Sequence, residues 1–260
     1  MKGKVNKGDP AGTVNAFFPP FQSLVANGRP PIGLPRVEAS ENQPEHLEPG
    51  DAGREDAPAG RGPAGIRIEK EFIESLPVGE WTGPIELIES EKDAERAIAS
   101  LARDRVLGFD TETKPSHTRG EYNLPSILQL AGEHRIFVFR LDHCGGIPLA
   151  FPVLCNERQA KVGVAVRDDV KNLRARAPFD DRAFIDVSDH TKKAGLVNTG
   201  LQALAAHFLG LQMKKSKKVQ TSNWAKPLDE RQIHYAANDA WFSRELYLKL
   251  EKDGLIPRFG

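Results

Sequence analysis

Cysteine is nearly absent from this 260-residue chain, which has only Cys144 and Cys155. Two cysteines build neither a disulfide framework nor a cysteine-rich zinc site, and a reducing compartment is the default expectation. No apolar run reaches the length of a membrane span. Lys2, Lys4 and Lys7 are followed by no apolar core or cleavage pattern, so no signal peptide is expected. The expected location is intracellular: the cytoplasm, or the nucleus of a eukaryote. No sign of charge dominates, with 36 Lys and Arg against 36 Asp and Glu. No global field therefore draws the chain to nucleic acid or membrane, and any such attraction is local. Internal repeats are absent as well.

Proline and glycine are unevenly spread. Of 19 prolines and 23 glycines, 10 of each fall in the first 65 residues. That segment lacks helical or strand periodicity, and its composition predicts a disordered N-terminal tail over residues 1–65. Phe17-Phe18-Pro19-Pro20-Phe21, with Leu24 and Val25, breaks the pattern. It reads either as a docking motif for a protein partner or as an apolar patch folding back. The remaining 195 residues, 66–260, suffice for a buried core and form the expected functional domain.

Within that domain the pattern is mixed. Lys70 to Leu76 reads as a short helix and Ile85 to Ile88 as a strand. Ser90 caps a helix over 91–103, with Ala94, Ala97, Ile98 and Leu101 inward. Apolar strands follow at 106–110, 126–130, 135–140 and 161–166. A helix is expected from Asp168, with Asp168 as its cap, and Phe184 to Val187 is a further strand or link. Thr199 and Gln202 have capping-box spacing for a helix running to about Leu209. The order predicts an α/β fold, a mixed β-sheet flanked by α-helices.

One stretch concentrates chemistry: Ser222-Asn223-Trp224 through Asp239-Ala240. Asp229 and Gln232 form a capping box. The helix they open meets no Gly or Pro before Glu251, and Ile233, Ala236, Ala237, Ala240, Leu246 and Leu250 define a buried face. Tyr235 and Asp239 share a face one turn apart. Asp239 lies among small residues, where an unpaired charge is costly. Asp110 and Glu112 come where the 106–110 strand runs out, and alternate strand residues share a face. Carboxylates that close repel unless a cation sits between them, and hard ions such as Mg²⁺ or Mn²⁺ suit oxygen donors. An isolated Asp-x-Glu is an ordinary solvated strand end, and Asp169 taken alone is a helix first-turn acid.

Together these residues say more. Phe109-Asp110-Thr111-Glu112-Thr113 is the first group, and Gly163 with Asp169 and Leu173 the second. The third is Ser222-Asn223-Trp224, Pro227-Leu228, Gln232, Tyr235-Ala236-Ala237 and Asp239-Ala240. This set closely resembles the DEDDy 3′–5′ exonucleases, which include ribonuclease D and the Werner-syndrome-type exonuclease domains. The resemblance covers residues 84–252, and Gln129, Gly200-Leu201 and Leu204-Ala205 also match. It implies an RNase H-like fold and hydrolysis of nucleic acid from a free 3′ end, with release of nucleoside 5′-monophosphates. It further implies two divalent ions, Mg²⁺ or Mn²⁺. Asp110, Glu112 and Asp239 would hold one; Asp110 would bridge to the second, supported by Asp169. One ion would activate a water and the other stabilise the leaving 3′ oxygen. Tyr235 would orient the water. His234 also fits the His-x-Ala-x-x-Asp pattern of the sister DEDDh enzymes. Adjacent helix positions point about 100° apart, so only one of the two faces the metals. The surrounding motifs select Tyr235 and leave His234 on the surface. No helicase-like domain follows, so a stand-alone exonuclease is expected.

For substrate contact, the basic run 214–218 offers Lys217 and Lys218 to phosphates. Trp224 is either a base-stacking platform or a buried loop anchor. His117, Arg119 and Tyr122 follow the first acidic motif and are candidates for the terminal nucleotide. DNA and RNA are not distinguished. The alternative is a catalytically silent nucleic-acid-binding or scaffold protein on the same fold, which loss of an acidic ligand would favour.

Overall fold

A long apolar sheet covered by helices on both faces organises the chain, and the elements enter it in an order that brings distant acids together. The computed structural model describes residues 65–260 apart from 117 and 119. The expected tail, with its Phe17–Phe21 motif, lies outside the described residues.

Helix α1 (Lys70–Ser75) and the two-residue strand β1 (Val78–Gly79) lead in. Strand β2 (Ile85–Ile88) follows, then α2 (Glu91–Leu101), whose N-cap Ser90 accepts a bond from Asp93 N. Three strands come next: β3 (Val106–Thr113), β4 (Pro125–Ala131) and β5 (Ile136–Arg140). Both β4 and β5 are buried along their whole length, as a strand covered on both faces should be. After α3 (Phe151–Leu154) come β6 (Ala160–Gly163), α4 (Val166–Arg176), β7 (Phe184–Asp186) and α5 (Val187–Lys193). The chain closes with α6 (Leu201–Leu204), β8 (Gln212–Met213), α7 (Lys217–Gln220) and the 23-residue α8 (Glu230–Lys252).

The six-stranded sheet has the order β2-β5-β4-β3-β6-β7. The β3, β4 and β5 pairings are antiparallel, and the outer ones are parallel. On one face, Leu107, Phe109, Leu128, Phe137 and Phe139 pack against Ala97, Ile98, Leu101, Val153, Val170 and Leu173 of α2, α3 and α4. On the other face α8 crosses the sheet, with Val106 and Val162 against Leu246 and Leu250, and Ile127 and Val138 against Tyr235 and Ala236. Among the described residues, no helix is long and apolar enough to cross a membrane.

Three local expectations are corrected. The 161–166 strand stops at Gly163, and Ala165 turns the chain with a left-handed φ of 62°. Ala165, not Asp168, is then the N-cap position of α4, and Asp168 becomes an exposed first-turn residue. The 199–202 capping box does not form. Gly200 occupies the N-cap, and the Gln202 amide instead donates to Met213 O at 3.1 Å, fastening α6 to β8. The helix there also yields to a π-helical turn, Ala205–Leu209.

Candidate active site

Strand alternation puts Asp110 and Glu112 on the face of β3 that meets α8, while Thr111 points to the opposite face. Gly108, on the α8 side, has no side chain to hold the helix off. A Cβ placed there would lie 1.9 Å from Ala240 O. Strand and helix backbones therefore touch one position away from Asp239. The capping box fixes where the helix begins: Gln232 N donates to Asp229 Oδ1 at 2.9 Å, and Asp229 N donates to Gln232 Oε1 at 3.0 Å. Gln232 also donates to Ser222 Oγ at 2.9 Å, tying the preceding loop to the helix.

The result is a cluster in which carboxylate oxygens of Asp110, Glu112 and Asp239 all lie within 4.8 Å of one another. Tyr235 stands one turn before Asp239, with Trp224 packed behind it at 6.1 Å between ring centroids. Asp169 enters from α4 and is turned onto Thr111, whose hydroxyl donates to its Oδ1 at 2.5 Å. It stands beside the trio rather than within it. A cavity of about 280 Å³ opens over the carboxylates, lined also by Val164, Lys215, Gln220 and Tyr235.

Burial and crowding dominate the electrostatics. Asp110 is held well above the usual carboxylate range by burial, then by Asp239, Asp169 and Glu112. Glu112 is pushed up to about 9 by burial and by Asp239 and Asp169, with Lys215 opposing. Burial raises Asp239 to about 7 against the pull of Lys215 and the Tyr235 hydroxyl, and raises Asp169 to about 6. Burial and the surrounding acids push the Tyr235 phenol above its ordinary range.

Two observations fit this cluster to a divalent cation. Asp239 is 6% exposed, and its Oδ1 has no hydrogen-bond partner. The donors are all carboxylate oxygens, which suit a hard ion. Among the described residues, no lysine or arginine lies within 4.0 Å of these carboxylates.

The other candidate residues divide. His234 is exposed, while Tyr235 is buried toward the acids. Trp224 is fully buried, its Nε1 donating to Gln220 O at 3.3 Å, so it is a loop anchor and not a stacking platform. Lys217 and Lys218 are exposed on α7, and Lys218 lines a neighbouring groove. Tyr122 is 93% exposed in the segment after β3. His117 and Arg119 lie outside the described residues. Sequence reasoning missed Lys215, which reaches the cavity, and Thr111, which holds Asp169. Strand alternation gave no reason to look for Thr111, because it leaves β3 on the face opposite Asp110 and Glu112, where it meets Asp169. Gln129 pairs with Asp110 across β3 and β4 and is fully buried, with neither amide atom bonded.

Comparison with known proteins adds the following. A family model described as "3'-5' exonuclease" matches residues 85–254. The chain is 29% identical to the mouse bifunctional 3'-5' exonuclease/ATP-dependent helicase WRN, over 70% of this chain but 14% of that protein. It is 28% identical to a 3'-5' exonuclease of Drosophila mojavensis, over 89% of this chain and 77% of the relative. Among solved structures, the Aedes aegypti Nibbler EXO domain superposes with a TM-score of 0.60 at 24% identity, covering 67% of this chain and 92% of that one.

Proposed function

The chain belongs to the 3′–5′ exonuclease family, and from that premise we propose that it hydrolyses phosphodiester bonds from the 3′ end of a nucleic-acid strand, releasing nucleoside 5′-monophosphates. The domain that does so is residues 66–260. One observation carries the reading: Asp110, Glu112 and Asp239 converge from a strand and a helix, with a buried, partnerless carboxylate oxygen among them. A catalytically silent binding module has no use for such an arrangement, because burying three uncompensated acids is costly.

Asp110, Glu112 and Asp239 would hold divalent metal, Mg²⁺ or Mn²⁺, with Asp169 completing the set for a second ion. When bound, the ions supply an activated water and stabilise the charge of the leaving 3′ oxygen. The chain's own groups do the rest. Thr111 fixes the Asp169 carboxylate so that it faces the trio's edge. Tyr235 borders the cavity with its phenol neutral, so it orients the attacking water by hydrogen bonding and does not remove its proton. Trp224 and the Ser222–Gln232 bond keep that phenol in place. Lys215, at the cavity wall, neutralises a phosphate oxygen of the substrate.

The test is incubation of 5′-labelled single-stranded DNA and RNA of equal sequence with Mg²⁺ or Mn²⁺, beside Asp110→Asn. The expected result is a ladder shortening from the 3′ end that vanishes with chelator or in the variant. Intact substrates, or an equally active variant, would overturn the proposal.

A further inference from the structure

Gln129 sits in the middle of the sheet, directly opposite Asp110, fully buried and with neither side-chain amide atom bonded. The other buried glutamines among the described residues are tied down. Gln159 Nε2 donates to Leu101 O at 2.6 Å and to Asp104 O at 2.7 Å. Gln232 is bonded at both amide atoms, donating to Ser222 Oγ and accepting from Asp229 N. An amide taken out of water without a partner costs stability. Methionine would fill the same slot at nearly the same volume and without that cost. A glutamine here therefore asks for a partner within its reach.

Its surroundings leave one candidate. Opposed residues of an antiparallel pair share a face, with Cβ atoms about 4.5–5.5 Å apart. On that face Gln129 is flanked along β4 by Ile127 and Ala131, and across β5 by Val138, all three fully buried. Ala236, Ala237 and Ala240 of α8 pack over these neighbours. Of the four strand positions around Gln129, only Asp110 carries a polar side chain. Asp110 lines the carboxylate cavity and Gln129 does not. An amide reaching Asp110 from β4 therefore comes from the side away from the opening and leaves the cavity side of the carboxylate free.

Resting on the exonuclease reading and its cation site, we propose that Gln129 is a positioning residue: its amide donates an N–H to the Asp110 carboxylate and fixes the orientation in which that group holds a divalent ion. The Thr111 hydroxyl already stands in this relation to Asp169. Both donors are neutral. A neutral donor orients a carboxylate and leaves its charge to the cation, whereas a lysine in the same slot would compete for it. Hydrogen-bond partners behind a metal's ligands act in this way, and their loss typically weakens the ion about 10–100-fold. The stability forgone by burying an unbonded amide is thus the counterpart of a carboxylate held ready.

The test compares the full chain with its Gln129→Met variant. Denaturation midpoints in EDTA report the slot, and calorimetric titration with Mn²⁺ reports the site. Gln129→Met should keep or raise the EDTA midpoint, because it removes an unbonded amide at nearly constant volume. It should weaken Mn²⁺ binding about tenfold or more. The Mn²⁺ concentration for half-maximal cleavage of a 5′-labelled strand should rise by the same factor, while KM for the strand at saturating Mn²⁺ stays near the wild-type value. A further measurement needs no variant. In the wild-type chain, the NMR signals of the Gln129 side-chain NH₂, assigned through the backbone, should move on addition of Mg²⁺, and their hydrogen exchange should slow. Unchanged Mn²⁺ affinity in Gln129→Met, or amide signals indifferent to Mg²⁺, would overturn the role. A lowered EDTA midpoint with affinity intact would do the same and leave Gln129 a core residue. No cation binding by the wild-type chain would overturn the cation site itself, and the role of Gln129 with it.

Discussion

The Cβ that Gly108 lacks would lie 1.9 Å from the carbonyl oxygen of Ala240. Strand β3 and helix α8 thus meet backbone to backbone, two residues from Asp110 on one side and one from Asp239 on the other. Gly108→Ala should force them apart. Overpacking of this kind costs about 1–3 kcal/mol, so the denaturation midpoint should fall. Activity should fall further than stability, since the acids separate. A variant with wild-type midpoint and rate would show that the close approach does not set the site.

The metal-free protein should lose stability as pH rises from about 4 to 9. Glu112 at about 9, Asp239 at about 7 and Asp169 at about 6 all stand above their ordinary 4.5, 3.8 and 3.8. Across that window the folded state binds more protons than the unfolded one, so the slope of stability with pH is negative. Saturating Mn²⁺ or Mg²⁺ should raise the melting temperature most at the alkaline end, because bound ions compensate the ionised acids. Asp239→Asn should shrink both effects without abolishing them, because burial still raises Glu112 and Asp169. Thermal melts with and without EDTA from pH 5 to 9 measure this, and a flat metal-free profile would contradict it.

Tyr235→Phe should lower kcat by about 10²-fold, the scale of losing the positioning of a reacting group, with a smaller change in KM. His234→Ala should cost kcat less than Tyr235→Phe does. The opposite ranking in steady-state kinetics would move this chain to the histidine branch.

Glu251 should control acid stability at the other end of the molecule. Its carboxylate accepts from both terminal nitrogens of Arg105, from the Tyr247 hydroxyl and from Phe259 N. Arg105 above all holds it down at about 2. That stabilisation, on the order of 2–3 kcal/mol, is present above the ordinary carboxylate pKa of 4.5 and is lost as pH falls toward 2. Glu251→Gln should flatten the acid limb of the stability profile in urea titrations and leave the alkaline limb unchanged.

Elements whose signal is local were legible in the sequence. Ser90 and Asp229 cap the helices expected of them because each side chain reaches a backbone N–H within three residues. Asp110 and Glu112 share a face because strand alternation requires it. What failed depended on distant partners. Gln202 forsakes its capping box for a carbonyl eleven residues away. Asp168 loses the cap because Ala165 turns left-handed. In the basic run, Ser216 caps α7 by accepting from Val219 N, so a new helix starts inside it. Lys215 is left before that helix, facing the acids, and nothing in five near-identical residues forecasts which lysine this will be.

Helix α8 has a further consequence. It carries Tyr235 and Asp239 in its first half and Tyr247 and Glu251 in its second, with no glycine or proline across 23 residues. At about 1.5 Å per residue it is a rod some 34 Å long, sealed to the sheet on one side and to the C-terminal segment through Glu251. It has no hinge. Whatever rearranges when a strand is admitted and released must be borne by the elements around it, moving against a stationary anvil.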